Sequence, residues 1–334
     1  MKNRRADKVL FGFDFQVNAA IILMLENISD LRSLRLEGNH EDIDLTLNND
    51  QHILAQAKAI VNSSTDFHNV RQKLKEALES LSEACQAVDT KQLILITNSP
   101  NPFNDDASRS IFWAPTRRSF STLPPSAQTI ITDYLSKIET PLDLDKFIIQ
   151  VFPFETDDDT ERYKAVMQAV DNFIGDLNIN LPGLGKQLLE VWHWDIFKNG
   201  TKKDATIQLD KKSIIWPIMV IATDVSKCDD DFLNQFDSAV YDEITHHYKD
   251  TIDNCCERME FFTRVLYDYN NFKSSKKASE KIGDFVDQSW KEYFDEFAAG
   301  GIDAETQEGL TKVVLYSIVR RRITIDKIKR GVNL

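Results

Sequence analysis

Residues 36–45 read Leu36-Glu37-Gly38-Asn39-His40-Glu41-Asp42-Ile43-Asp44-Leu45, and residues 54–58 read Leu54-Ala55-Gln56-Ala57-Lys58. From Asp42 to Leu47 polar and apolar side chains alternate, the period of a half-buried strand. Asp42, Asp44 and Thr46 then share one face, and Ile43, Leu45 and Leu47 the other. Asn48-Asn49-Asp50 is a turn signal. Ser33–Glu37, ending at Gly38, and His52–Ala59 read as the flanking strands. The short turns make the three a tight antiparallel meander. Gln56 and Lys58 share a face of the third strand, so two carboxylates, an amide oxygen and an ammonium are expected on one patch.

Outward from the meander the pattern changes period. Residues 13–29, following Gly12, read as a buried helix. Residues 66–88 carry Phe67, Val70, Leu74, Leu78 and Leu81 at helical spacing, with Ser64 or Thr65 as the cap. Leu93–Thr97 is a continuous apolar run, the mark of a strand buried on both faces. Helix, three strands, helix, strand gives an α/β core with a mixed sheet and one crossover connection. Residues 98–123, rich in Pro, Asn, Asp and Ser, read as a long loop holding Phe103, Phe112 and Trp113. A helix at 126–138, a strand at 146–152 and a helix at 158–173 extend the core. The Asp157–Asp159 run suits a helix N-terminus. Beyond about residue 184 only helices are expected: 184–197, 210–223, 229–270, 277–298 and 304–329. Gly200-Thr201-Lys202-Lys203 reads as a linker, dividing the chain into residues 1–200 and an all-α region, 201–334.

The chain has 334 residues, enough for about two domains. Lys and Arg number 40 against 53 Asp and Glu, a formal charge of -13, with a pI near 5.0 and a mean hydropathy of -0.36. That balance argues against a passive nucleic-acid coat. It leaves room for a DNA enzyme, which needs only a local basic patch. No apolar run reaches about 18 residues, so no membrane-spanning helix is expected. The start lacks the pattern of a secretory signal. Four cysteines, Cys85, Cys228, Cys255 and Cys256, are too few and scattered for a disulfide framework, which points to a reduced, cytoplasmic protein.

Hard carboxylate and amide oxygens suit Mg²⁺, which usually keeps waters and bridges to phosphate. A Lys beside such a site orients or deprotonates a water and offsets developing negative charge. The same residues also read as a solvated cross-strand ion pair. Spacing alone leaves both readings open.

The pattern resembles the PD-(D/E)XK nuclease superfamily, whose signature is an acid on one strand and an acid-x-Lys on the next. Gln56-Ala57-Lys58 is similar to the Gln-x-Lys variant of the Mrr-like branch. Gly12-Phe13-Asp14-Phe15-Gln16 looks like that branch's opening Gly-aromatic-x-Phe-Glu/Gln helix. The combination most resembles the double-stranded DNA endonuclease domain of bacterial anti-phage effectors, as in the CBASS-associated nuclease and the nuclease subunit of Lamassu-type systems. The likeness covers about residues 10–100 and extends toward 180. It implies a restriction-endonuclease-like core. It implies Asp44 as the central metal-binding acid, Lys58 as the catalytic lysine, Gln56 as a neutral ligand in the acidic slot, and Gln16 at a helix position that often carries Glu. Glu37 and Asp42 are extra acids that compensate for the missing carboxylate at 56. The implied activity is Mg²⁺- or Mn²⁺-dependent cleavage of double-stranded DNA. The implied partners are an SMC-like ATPase and a small accessory subunit, with self-assembly on activation. The alternatives are an inert interaction subunit on the same fold, favoured by the neutral Gln56, and an RNase.

Other candidates carry less. Gly183-Leu184-Gly185-Lys186 lacks phosphate-loop spacing and reads as a helix-start turn. His246-His247 and Cys255-Cys256 do not match zinc-ligand spacing. Arg117 and Arg118, beside Phe112 and Trp113, suit a DNA backbone or an ordinary surface loop. The aromatic C-terminal helices, with the basic run Arg320-Arg321-Arg322, point to docking or oligomerisation rather than a second active site.

Overall fold

The computed structural model describes residues 6–113, 115–223, 232, 236–244, 246, 258–277, 280–298 and 302–334. The chain forms two compact units. The first takes in the described residues up to Asp176 together with Gly185–Lys211. The second takes in Leu177–Leu184 and the described residues from Lys212 to Leu334. The division therefore falls at Lys211 rather than at residue 200.

The first unit is built on a mixed seven-stranded sheet ordered β5-β6-β4-β3-β2-β1-β7. The strands are β1 Leu31–Leu36, β2 Ile43–Leu47, β3 His52–Lys58, β4 Thr90–Thr97, β5 Thr116–Ser119, β6 Phe147–Val151 and β7 Leu209–Asp210. β1, β2 and β3 form the expected antiparallel meander. β3, β4 and β6 run parallel, and β5 returns antiparallel on β6. Parallel neighbours need a crossover. Helix α2, Val70–Ala84, supplies it between β3 and β4.

Strand alternation sorts the side chains between the two faces. Leu54, Leu93, Leu95, Phe147 and Ile149 join Leu74, Leu78 and Leu81 of α2 in one buried cluster. Ala127, Ile131 and Leu135 of a second helix, Pro125–Leu135, complete it, together with Phe103 and Phe112. The opposite face is covered by α1, Asp7–Glu26. Its Phe15 stacks on Phe152 at 4.8 Å, and its Glu26 accepts from Gln150 at 2.8 Å.

Several boundaries differ from the sequence expectation. α1 begins at Asp7, not after Gly12. Gly12 lies inside the helix, where burial of its neighbours Phe11 and Phe15 outweighs the propensity cost of about 1 kcal/mol. By length and composition α1 could cross a membrane, against the reading of no such helix, yet 61% of the relevant window is buried in the protein. α2 begins at Val70 and is not capped by Ser64 or Thr65. There the Asp66 carboxylate accepts the His68 amide at 3.0 Å, a local turn that competes with helix. The segment 98–123 is not one long loop: it holds the short helix Asp106–Arg109, two 3-10 turns and β5. Phe103 and Phe112 anchor it in the core, while Trp113 stays exposed.

In the second unit, the described secondary structure is helical: Lys212–Ala222 of a helix starting at Lys211, then Arg258–Asn271, Lys281–Ser289, Ala304–Arg320 and Arg322–Gly331. The expected helix 304–329 is interrupted at Arg321. Phe261, Phe262, Phe285, Tyr293 and Phe297 pack as its core. Part of the expected helix 229–270, including His247, Tyr248, Cys255 and Cys256, lies outside the described residues.

Candidate active site at the ends of β2 and β3

The hairpin register builds the site. Ile43 pairs with Ala55 and Asp44 with Leu54. Continuing the register sets Asp42 against Gln56, with Lys58 two residues further on the same face. The Asp42 carboxylate accepts from the Gln56 side-chain amide and, at 2.9 Å, from the Ala57 backbone N–H. Asp42 thus stands at the carboxyl end of β3, beside the parallel strand β4, where ligand crevices form in open α/β sheets.

Asp44 is two positions further into the sheet. It is buried, and its Oδ1 lies 2.7 Å from Nδ1 of His52. Asp42 and Asp44 therefore have different partners. Of the expected acids, the geometry groups Asp42 rather than Asp44 with Gln56.

Glu37 leaves β1 with φ 52°, a left-handed conformation uncommon for a residue other than glycine. Its amide donates to the Asp42 carbonyl at 2.8 Å, and Gly38 donates to Glu41 at 3.1 Å. These bonds close the 37–42 turn and carry Glu37 toward Asp42. Gln16 of α1 favours the charged form of both carboxylates by hydrogen bonding.

Sequence reasoning passed over Glu41. It is buried, its Oε2 accepts the Asp42 amide at 3.2 Å, and its Oε1 has no hydrogen-bond partner. Burial pushes its carboxyl up to about 7, the Asp42 charge adds to this, and Ser80 of α2 and Lys58 oppose it. Burial also raises Asp42 and Glu37, and Glu37 is raised further by Asp42. Burial is thus the main cause at all three acids, with repulsion from Asp42 adding at Glu37 and Glu41.

Lys58 is held by its main chain. Thr97, at the end of β4, donates its hydroxyl to the Lys58 carbonyl at 2.7 Å. The next residue, Asn98, is buried and clamps the chain beyond the site. It accepts from the Ile60 amide at 2.8 Å and donates to the carbonyls of Ile60 and Phe154 at 2.9 and 2.8 Å. The available signal was a polar Thr-Asn pair ending an apolar parallel strand.

Arg117 and Arg118 lie on β5. Arg117 pairs across from Gln150, on the α1 face, whereas Gln56 and Lys58 stand on the α2 face. Its guanidinium is engaged by Glu26 at 2.5 Å, Gln92 at 2.6 Å and Gln150 at 3.1 Å. Arg118 donates to the Ile111 carbonyl at 3.4 Å. Arg117 is thus tied to side chains of the α1 face, away from the face that carries Lys58.

The donor set suits a hard divalent cation. Among the described residues no three His, Cys, Asp or Glu side chains form a metal cluster by themselves. Mg²⁺ needs only one or two carboxylates, completed by water and phosphate oxygens. Asp42, with the unpartnered Glu41 oxygen and Glu37 nearby, meets that requirement. Gln56 presents its amide nitrogen to Asp42. Turning the amide over would offer its oxygen instead.

Comparison of the chain with protein-family models, curated proteins and solved structures finds no match.

Proposed function

We propose that the first unit is a metal-dependent endonuclease acting on double-stranded DNA, with a restriction-endonuclease-like core. One observation carries the reading: Asp42 meets Gln56 across the β2–β3 register, with Lys58 next on the same face. Asp42, Glu41, Glu37 and a turned Gln56 amide are the oxygens that would hold Mg²⁺ or Mn²⁺. When bound, the cation supplies Lewis-acid polarisation of the phosphoryl oxygen and an acidified water. Lys58 orients the attacking water and balances charge that builds on the phosphate. Gln16 favours the ionised forms of Asp42 and Glu37 against the burial that raises them.

The acidic chain makes a weak DNA binder alone. Cutting two strands needs two sites or two successive cuts, which favours a homo-oligomer. We therefore propose an effector subunit of a Lamassu-like anti-phage complex in the cytoplasm. There it is restrained by an SMC-like ATPase and a small accessory subunit and docked through its helical unit. The test is plasmid cleavage with Mg²⁺ under activating conditions, comparing wild type with Lys58→Ala. Loss of cutting in the variant is expected, and equal cutting rejects the assignment. RNA incubated in parallel separates an RNase from a DNase.

A second reading is supported by the neutral Gln56, already satisfied by Asp42: a nuclease-fold subunit that binds without cutting. Calorimetric titration with Mn²⁺ separates the two, because the inert reading requires no binding that depends on Asp42.

A further inference from the structure

Lys73, on the first turn of α2, is absent from the signature that drew attention to Lys58. The two lysines line one small crevice, with Val70, Leu74, Leu95, Thr97, Ser99 and Pro102 among the other lining residues. Its volume is about 10 Å³, the scale of a single water or one ligand oxygen. Among the described residues neither side-chain ammonium takes part in an ion pair or hydrogen bond. Lys73 is partly buried. Burial lowers its pKa, and the positive charges of Lys58 and Lys8 lower it further against the pull of Glu76. The two cations repel each other across a partly apolar crevice, while Asp42 and Glu41 offset part of the Lys58 charge. An anion seated between them relieves the repulsion and recovers the lost solvation.

The placement on α2 matters as well. Lys73, Glu76, Ala77 and Ser80 fall on one helical face. Lys73 and Ser80 are two turns apart, about 10 Å along the axis. Ser80 reaches Glu41 at one end of the acid cluster, and Lys73 reaches the Lys58 side. α2 therefore walls the site along its length, with a hydroxyl at the acidic end and an ammonium at the cationic end.

We propose that Lys73 and Lys58 form an anion subsite that seats one non-bridging oxygen of a backbone phosphate of the substrate. This rests on the nuclease reading and extends it: Lys73 is a substrate-positioning residue that the Gln-x-Lys motif does not contain. An extended polyanion is the ligand expected, because the crevice admits one oxygen and leaves the rest of the phosphate outside.

The experiment reads binding apart from cleavage. Anisotropy of a labelled DNA duplex is measured in metal-free buffer across a salt series. Wild type is compared with Lys73→Gln, Lys73→Arg and Lys91→Gln, the last a remote exposed lysine paired with Asp30. Loss of one phosphate contact is expected to flatten the plot of log affinity against log salt by about 0.9 in Lys73→Gln. Arginine is expected to restore the slope, and Lys91→Gln to leave it unchanged. Thermal melts check the fold: Lys73→Gln should melt no lower than wild type, since it removes a repelling charge. Added inorganic phosphate should stabilise wild type more than Lys73→Gln. If wild type binds the duplex and Lys73→Gln binds with the same slope, the subsite is rejected and the nuclease reading stands. If wild type fails to bind the duplex even at the lowest salt, where a weak lone subunit should still associate, the nuclease reading fails and the subsite with it.

Discussion

The Asp42 carboxylate accepts the Ala57 backbone N–H at 2.9 Å. That bond ties an acid at the entry of β2 to the main chain of β3, one residue before Lys58. The separation of acid and lysine is thus fixed by the sheet rather than by flexible side chains. Asp44, one register step deeper, is fixed with equal firmness to His52.

The two acids should therefore respond differently to removal of charge. Asp42→Asn is expected to lower plasmid cleavage by about 10²- to 10⁴-fold, the range for loss of a positioned catalytic group. It should also abolish Mn²⁺ binding in calorimetry. Asp44→Asn disturbs the His52 pair, so its main effect should be on the melting temperature, with cleavage reduced far less. The reverse ranking would make Asp44 the metal-binding acid.

Gln56 separates metal-dependent from metal-free stability. In the free protein its amide donates to Asp42. Gln56→Glu replaces that donor with a fourth carboxylate beside Glu37, Glu41 and Asp42. The variant should melt below wild type in a chelating buffer. It should also gain more melting temperature from added Mg²⁺, because a ligand that binds only the folded state stabilises in proportion to its occupancy. Parallel melts with and without Mg²⁺ measure both effects. Equal responses would mean that position 56 does not face the cation.

The meander, both main helices of the sheet and the buried parallel strand were legible because their hydrophobic periods are strong. Strand alternation correctly grouped Asp42 with Asp44 and Gln56 with Lys58 on their faces. It could not say which acid meets Gln56, because that depends on register, here Ile43 opposite Ala55. The resemblance favoured Asp44, and the register favours Asp42. Glu41, Ser80 and Lys73 were missed for another reason. A turn residue and two polar positions on an amphipathic helix look like solvated surface until tertiary packing buries the first and brings the other two against the site. Arg117 shows the converse, since a basic pair in a polar stretch reads as DNA-facing until Glu26, Gln92 and Gln150 are seen to hold its guanidinium.

Glu41 makes the metal-free protein pH-sensitive. Its carboxyl, near 4.5 in an unfolded chain, is pushed up to about 7 in the fold. Between those values the folded state keeps a proton that the unfolded chain releases, so stability falls as pH rises through that window. The full loss, on the order of 3 kcal/mol, is reached above about pH 7. Glu41→Gln should flatten this slope and melt higher than wild type at pH 8 in chelating buffer. Melts from pH 4.5 to 8 test it, and parallel curves for the two proteins would remove Glu41 from the acid cluster.

Asn98 is the strongest purely structural test of how Lys58 is held. Its side chain satisfies the Ile60 N–H, the Ile60 carbonyl and the Phe154 carbonyl, all in a buried setting. Asn98→Ala leaves three main-chain groups without partners. Each buried unsatisfied group costs about 1–3 kcal/mol, so a loss of roughly 3 kcal/mol or more is expected in urea denaturation. Asn98→Asp keeps the acceptor for the Ile60 amide and sets a carboxylate against two carbonyls, so it should be no better than alanine. The chain leaving β3 is what Asn98 clamps, and Thr97 continues to hold the Lys58 carbonyl. Cleavage per folded molecule should therefore fall by less in Asn98→Ala than in Thr97→Val, which removes the bond to Lys58 itself. Equal cleavage by Thr97→Val and wild type would show that Lys58 needs no anchor from β4.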